Sequence, residues 1–473
     1  MGNFIFNGQQ VPFKDGENII DAMMRAGTEI PRYCYHPGLS VVAQCRMCLV
    51  EVEGQRKLIT ACSTPAKEGM VVNNNSAKVK ESVAGVQEFL LANHPLDCPI
   101  CDQAGECSLQ DYSLQHGNAD SRNDFYRRTY IDVDMGPSIK KNMNRCIHCT
   151  RCIRYCDEIG DNYEMVALQR GNDTEIVTVD GNPLMTAYAG GLADVCPVGS
   201  LTTKDFRFQK RVWYLRRSDS VCDGCSKGCN TVVSQDHNII YRLEPRENQA
   251  INKWWMCDEG RYGFHYVHSP SRILGPAKIG ADKQPQSSNW TEALGALRTA
   301  FDSSKSIAFF VCADATIEEA KTLQAKFPKA AFYSYSPSVK KSSEDKPIDH
   351  LLRRLDKSPN LKGLESLNFK DASTFKPADY ELTVFVSGGK VRPPYGLAAK
   401  AKKAIGIGVF MKEELLGLSW VIPGASSLEK SGTFINCDGI SQSFRAAIPP
   451  IGLSRPLEMI LQGAFEASPR KVG

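Results

Sequence analysis

Sixteen of the eighteen cysteines in this chain lie between Cys34 and Cys257, in short C-x2-C knuckles of the kind that present thiolates to soft metals. The densest stretch is KNMNRCIHCTRCIRYC, residues 141–156, where Cys146, Cys149 and Cys152 are separated by two intervening residues each. One compact turn can aim three such thiolates at a cubic metal cluster, which leaves a fourth ligand to arrive from elsewhere. The nearest partner in that sense is Cys196 in DVCPVGS, 43 intervening residues later. Cys156 sits where a bacterial ferredoxin places a cysteine for a second cluster. No proline follows it and no second triplet can share it, so it reads as a packing thiol. His148, between two ligand cysteines, is placed to tune the site through a hydrogen bond rather than to ligate.

Three further sets have ligand spacing. Cys34, Cys45, Cys48 and Cys62 form C-x10-C-x2-C-x13-C, which suits two bridged irons or one zinc. Structural zinc sites more often pair two knuckles, and the long apolar-lined loop before this single knuckle fits a binuclear cluster better. His94, Cys98, Cys101 and Cys107 form H-x3-C-x2-C-x5-C, in which a neutral imidazole among thiolates would alter the potential of an iron cluster, while zinc Cys3His is about as good a reading of this spacing alone. Cys222, Cys225, Cys229 and Cys257 form C-x2-C-x3-C-x27-C, open to zinc or iron–sulfur as a bare spacing. Cys312 and Cys437 stand apart and read as structural, and His36 and His116 as satisfied loop or surface histidines.

The elements that must hold these residues follow from periodicity. A hairpin is expected from Asn3–Phe6 and Val11–Phe13 around Gly8, then a short helix over 18–26 with Ile19, Ile20, Met23 and Met24 on its apolar side. CLVEVE, residues 48–53, alternates as a half-buried strand, giving a small mixed sheet with one helix. Val79, Val83, Val86, Leu90 and Leu91 mark a helix leading to His94. Residues 117–144 form a polar connector suited to contact rather than chemistry. EIVTVDGNPL and AYAGGLADVC supply a strand, a turn and a Gly-rich return that carries Cys196 back. Asn230 to Leu243 reads as a hairpin, with Trp254, Trp255 and Tyr262 packing near Cys257. Beyond residue 269, SIAFFVCA before TIEEAKTLQAKF and ELTVFVSGG before LAAKAKKAIGI alternate strand with helix, a parallel α/β pattern.

Composition limits the function classes. The formal net charge of +4 gives no case for a nucleic-acid-binding surface. The first residues lack a basic leader with an apolar core, and no window of 18 apolar residues follows, so a reducing compartment and no direct membrane span are expected. No G-x-G-x-x-G follows a strand, so NAD binding is not expected in this chain, and neither a P-loop nor a spacing for nucleophilic catalysis occurs.

The stretch GENIIDAMMRAGTEIPRYCYHPGLSVVAQCRMCLVEVEG, with the cysteine sets that follow it, resembles the large iron–sulfur subunit of bacterial respiratory NADH:quinone oxidoreductase (complex I). The resemblance is tight over residues 1 to about 271. It implies a ferredoxin-like (β-grasp) α+β domain over 1–78 with a [2Fe–2S] cluster on Cys34, Cys45, Cys48 and Cys62. It implies [4Fe–4S] clusters on the His94 set (79–118) and on Cys146, Cys149, Cys152 and Cys196 (119–214). Residues 215–271 resemble the N-terminal [4Fe–4S] segment of molybdopterin oxidoreductases. WVIPGASSLEKSGTFINCDGISQSFRAAIPP resembles a later segment of those enzymes, so 272–473 is expected to be a shortened α/β domain without molybdopterin. The implied function is relay of single electrons from a flavoprotein subunit holding FMN and NADH, with a small [2Fe–2S] subunit, toward quinone-side peripheral-arm subunits. The chain would sit on the cytoplasmic side of the bacterial inner membrane and hold no complete active site. The alternatives are an electron-transfer subunit of an NAD-linked hydrogenase or formate dehydrogenase, a truncated molybdopterin enzyme, and a non-redox zinc scaffold.

Overall fold

A computed structural model of the chain describes residues 2–160, 162–394 and 396–466. It divides into two compact units, residues 1–214 and 215–473.

The first unit opens with the expected hairpin, β1 (Gly2–Phe6) and β2 (Gln9–Phe13), and the expected helix, α1 (Ile19–Arg25). The strand containing CLVEVE is β3 (Leu49–Val52), and two strands that sequence did not predict, β4 (Ile59–Thr60) and β5 (Val71–Asn73), complete a mixed sheet ordered β2-β1-β5-β3-β4. Only β1 and β5 run parallel. Alternation places Phe4, Phe6, Val11, Phe13, Val50 and Val72 on the face that α1 covers with Ile19, Ile20 and Met23. Cys48 and Cys62 belong to that same core, so the cysteine-bearing edge of the sheet is also a packed one.

Helix α2 (Ala77–Asn93) starts where Ser76 Oγ accepts from the Val79 amide at 3.3 Å, a cap worth about 1 kcal/mol. It stops at His94, whose backbone is extended. Helix α3 (Ser108–His116) follows directly after Cys107. The polar connector contributes β6 (Val133–Asp134) and β7 (Ile139–Lys141), and α4 (Arg151–Glu158) begins inside the cysteine triplet. After the hairpin of β8 (Met165–Leu168) with β9 (Glu175–Thr178), the pair Gly190-Gly191 opens a short helix, α5 (Gly191–Val195), where the sequence suggested an irregular return. Cys196 is brought home by the next strand, β10 (Leu201–Thr203), which pairs antiparallel with β7, Leu201 opposite Lys141.

The second unit begins with a three-stranded meander, β11 (Arg216–Val221), β12 (Asn230–Asp236) and β13 (Ile239–Pro245), then a single helical turn, α6 (Asp258–Arg261). An α/β body follows: β14 (Ala277–Ile279), β15 (Pro285–Ser287), α7 (Trp290–Ser303), β16 (Ile307–Cys312), α8 (Ile317–Lys326), β17 (Ala331–Tyr335), α9 (Leu361–Ser366), β18 (Lys370–Asp371), β19 (Leu382–Ser387), β20 (Ala404–Gly408) and β21 (Trp420–Pro423). Its eight strands are ordered β15-β14-β21-β20-β19-β16-β17-β18, with the six from β21 to β18 parallel to one another and β14 antiparallel to β21. The reading of LAAKAKK as helical was wrong: residues 398–400 make one 3-10 turn and the chain passes straight into β20. With Pro393 and Pro394 close upstream and a strand partner close downstream, there is no room to propagate a helix.

A last hairpin, β22 (Gly432–Ile435) and β23 (Ser441–Phe444), and α10 (Leu457–Glu466) finish the unit. The residues of the EKSGTFIN turn each make a tie. Glu429 pairs with Arg272 at 2.6 Å, both side chains fully buried, and also accepts from the amides of Ser426 and Ile451. Lys430 pairs with the buried Glu319 at 2.7 Å, and Thr433 donates from its hydroxyl to Glu318. Breaking a buried pair leaves a charge without compensation. Glu429→Ala should therefore cost about 3–5 kcal/mol in denaturant unfolding, and Arg272→Met with Glu429→Leu should recover most of it; a loss below about 1 kcal/mol in the single variant would contradict this role.

Candidate metal centres

In the first set Cys34, Cys48 and Cys62 are buried and Cys45 is partly so. The Cys34 amide donates to Cys45 Sγ at 3.4 Å, and the thiols pair as Cys34 with Cys45 and Cys48 with Cys62. Shared protons and burial push the Cys34 and Cys48 thiols up, while the hydrogen bond from Cys34 holds Cys45 down at about 5. The loop turns sharply here because Ala43 and Arg46 adopt positive φ, which exposes amides toward the sulfurs.

In the second set His94 ends α2 and Cys107 caps α3, and between them Cys98 and Cys101 stand on a tight turn closed by amide bonds from Ile100 and Cys101 to the Asp97 carbonyl. His94, Cys98 and Cys107 line one cleft with Leu91, Pro95 and Leu109, open to solvent. Burial, assisted by the Arg145 charge, lowers the His94 pKa to about 4, so the imidazole is neutral at pH 7. Its Nδ1 is buried and has no hydrogen-bond partner. A neutral, unpartnered imidazole nitrogen beside thiols is a free metal ligand.

The third set lies between the other two. Cys146, Cys149, Cys152 and Cys196 raise one another's thiols, and burial, the larger effect, takes Cys146, Cys149 and Cys196 to about 11. The His148 amide donates to Cys146 Sγ at 3.4 Å because His148 has φ of 54°, whereas its imidazole Nε2 bonds the Thr174 carbonyl at 2.9 Å. The expected hydrogen bond to the site is thus present, but it comes from the backbone. Cys156 is buried one turn further along α4, with its thiol raised to about 12 by burial.

Loops of the third set reach both neighbours. A Cβ built on Gly199 would stand 2.3 Å from Cys101 Sγ, so the loop carrying Cys196 is pressed onto a sulfur of the second set. Arg145, next to Cys146 and 4 % exposed, pairs with Asp97 at 3.0 Å beside Cys98. On the other side Arg154 donates to the carbonyls of Cys34 and Cys149. Lys141 is buried too, its Nζ bonding the Ile176 carbonyl at 2.6 Å. Sequence reading passed over these cations and Gly199, although Arg145, Arg151 and Arg154 interleave visibly with the cysteines.

In the second unit Cys222, Cys225, Cys229 and Cys257 are all buried and line one enclosed space of about 320 Å³ with Gly224, Met256 and Gly260. The Cys222 amide bonds the Cys229 carbonyl at 2.8 Å, and a Cβ on Gly260 would meet Cys222 Sγ at 2.9 Å. The loop is seated by the C-terminal hairpin: the Cys437 amide donates to Ser226 O at 2.8 Å, and Gln442 Nε2 to Gly228 O at 2.8 Å. His36 is a satisfied loop histidine, its Nδ1 accepting from the Gly38 amide. Among the described residues no three of His, Cys, Asp and Glu stand close enough together to grip a single metal ion. The donor sets, the orphaned His94 nitrogen, the buried cations and the side-chain-free cradles at Gly199 and Gly260 fit bulky anionic iron–sulfur groups.

Three family models match the first unit: a 2Fe-2S iron-sulfur cluster binding domain over residues 2–77, an NADH-ubiquinone oxidoreductase-G iron-sulfur binding region over 84–122, and the ferredoxin-like domain of NADH-quinone oxidoreductase subunit 3 over 136–202. The chain is 40% identical to the G subunit of NADH-quinone oxidoreductase from Rickettsia bellii over 291 residues, 62% of this chain and 42% of that protein. It is 38% identical over 299 residues to the mitochondrial NADH-ubiquinone oxidoreductase 78 kDa subunit of Candida albicans, 62% of this chain and 41% of that one. The chain thus spans less than half the length of the curated relatives it matches. A chain in the crystal structure of an NAD+-reducing [NiFe]-hydrogenase in the H2-reduced state is 28% identical, with a TM-score of 0.41 covering 45% of this chain and 91% of that one. From the first hairpin through the Cys196 loop, homologues and domain models consistently match the G-subunit family of NADH-quinone oxidoreductases.

Proposed function

We propose that the chain is the electron-relay subunit of an NADH:quinone oxidoreductase. In this reading Cys34, Cys45, Cys48 and Cys62 hold a [2Fe–2S] cluster, and the His94, Cys146 and Cys222 sets hold [4Fe–4S] clusters. When bound, such clusters accept and release single electrons without bond making. The observation that carries the reading is the interlocking of three ligand sets in one unit, with the Cys146 set touching the other two through Arg154 and Gly199. That arrangement favours the order Cys34 set, Cys146 set, His94 set.

The residues of this chain supply ligation, insulation and charge. Burial of most of the thiols, exposed Cys98 excepted, limits water at the sulfurs, amides of residues 34, 148 and 224 donate toward them, and Lys141, Arg145 and Arg154 favour added negative charge. NADH oxidation at FMN falls to a flavoprotein partner with a small [2Fe–2S] subunit, and exit to quinone-side subunits. No helix among the described residues is long and apolar enough to cross a membrane, in keeping with a peripheral place on the cytoplasmic face. The second unit is read as the Cys222 segment, 215–271, and a shortened molybdopterin-oxidoreductase-like body, 272–473, without a pterin. Within the first unit the proposed segments are 1–78, 79–118 and 119–214.

Anaerobically isolated protein should contain about 14 iron and about 14 acid-labile sulfide per chain; about four zinc and no sulfide would refute the relay. His94→Cys should keep a cluster whose midpoint potential, read by EPR redox titration, falls on the order of 100 mV, because an anion replaces a neutral ligand. Gly199→Val should erase the signal of the His94 set by displacing Cys101 while leaving that of the Cys34 set intact. An unchanged spectrum would mean the loop is not pressed onto that sulfur.

A further inference from the structure

Helix α4 leaves the cysteine triplet with two arginines on its inward side. Arg154 is 7 % exposed, and one of its nitrogens, Nη2, donates both to the Cys34 carbonyl at 2.6 Å and to the Cys149 carbonyl at 3.4 Å, while Nη1 bonds the Ser40 carbonyl. Arg151, one turn earlier, repeats the pattern on the adjoining residues, donating to Tyr35 O at 2.6 Å and Val195 O at 3.3 Å. Two guanidinium groups therefore lace the Cys34 loop to the Cys149 and Cys196 loops.

All the hydrogen-bond acceptors of both arginines are carbonyls. Among the described residues neither has a carboxylate within ion-pair distance, and the Nε of each is buried without a partner. The nearby Glu158 is turned to the amide and hydroxyl of Ser40 instead, at 2.9 and 2.5 Å. A buried cation without a counterion costs several kcal/mol. The sulfurs of Cys149 and Cys196 stand near enough to Arg151, and that of Cys149 near enough to Arg154, for negative charge placed on them to be felt by the guanidinium groups. A purely structural cross-link would not require a charged group in such a place, because carbonyl acceptors are served equally well by amides.

Resting on the relay reading above, we propose that Arg154, supported by Arg151, is a positioning residue that couples the Cys34 and Cys146 centres. Its Nη2 gives a one-atom hydrogen-bonded bridge between the ligand backbones of Cys34 and Cys149, and its charge stabilises the reduced form of both centres. With clusters held by Cys34, Cys45, Cys48 and Cys62 and by Cys146, Cys149, Cys152 and Cys196, the chemistry supplied would be transfer of one electron from the first set to the second, one losing and the other gaining it. No bond is made or broken, and no proton moves, because guanidinium stays protonated throughout.

The test uses the assembled complex with Arg154→Gln and Arg154→Lys, each read by metal and sulfide content, EPR redox titration of both centres and freeze-quench reduction by NADH. Arg154→Gln should retain both signals and make each centre at least tenfold harder to reduce, equivalent to 59 mV for one electron. Arg154→Lys keeps the charge but loses the fork, so its potentials should stay within threefold of wild type while electron arrival at the Cys146 centre slows at least tenfold. Unchanged potentials in Arg154→Gln, or unchanged arrival in Arg154→Lys, overturns the coupling. So does loss of a centre in both variants, which assigns Arg154 to assembly alone. Absence of both signals from the wild-type complex would instead overturn the relay reading itself.

Discussion

Thiolate ligands packed out of water need positive charge and amide dipoles within reach, or they keep their protons. In this chain burial, with a smaller push from neighbouring thiols, takes Cys146, Cys149 and Cys196 to about 11, well above the pH at which they could bind as anions. Metal must displace those protons, and the protein lowers the cost with groups already in place. Lys141, Arg145 and Arg154 are buried around the central set, and the His148 amide is turned onto a sulfur by a left-handed backbone. The folds around the sites follow from this need. Each cysteine loop is short and sharply turned, so its amides face inward, and each is backed by a helix or strand that fixes the turn.

The second unit meets the same need differently. Its cysteines occupy an enclosed space between a β meander and a single helical turn, and the C-terminal hairpin closes it by backbone bonds to residues 226 and 228. The EKSGTFIN turn is thereby explained physically in this chain: Glu429 and Lys430 neutralise two buried partners, Arg272 and Glu319, and the hairpin they anchor is the lid of the cysteine loop. A segment that resembles part of a cofactor-binding enzyme serves here as a fastening.

The first hairpin, α1, α2 and the strands of the α/β body were legible because their apolar residues repeat with clear period, and the candidate ligand sets drew notice because metal chemistry favours such residue types and spacings. Strands β4 and β5 were not legible, since two or three residues carry no period; they exist because β3 and β1 offer open edges. LAAKAKK was misread because its helix propensity is strong, yet the neighbouring prolines and the pairing of β20 with β19 and β21 outweigh it. Arg154 and Gly199 act across 120 residues and between different sets respectively, and no local pattern announces such contacts. Their signal was indirect: three arginines among four cysteines is more cation than a solvated helix turn needs.

The pressure of Gly199 on Cys101 has a consequence for how this chain ages. Cys196 and Gly199 share one short loop, so an oxidant that releases Cys196 from its own centre also withdraws the surface that backs a sulfur of the next. Damage would spread from neighbour to neighbour instead of staying local, and repair that refilled one site before the other would find its mould unfinished.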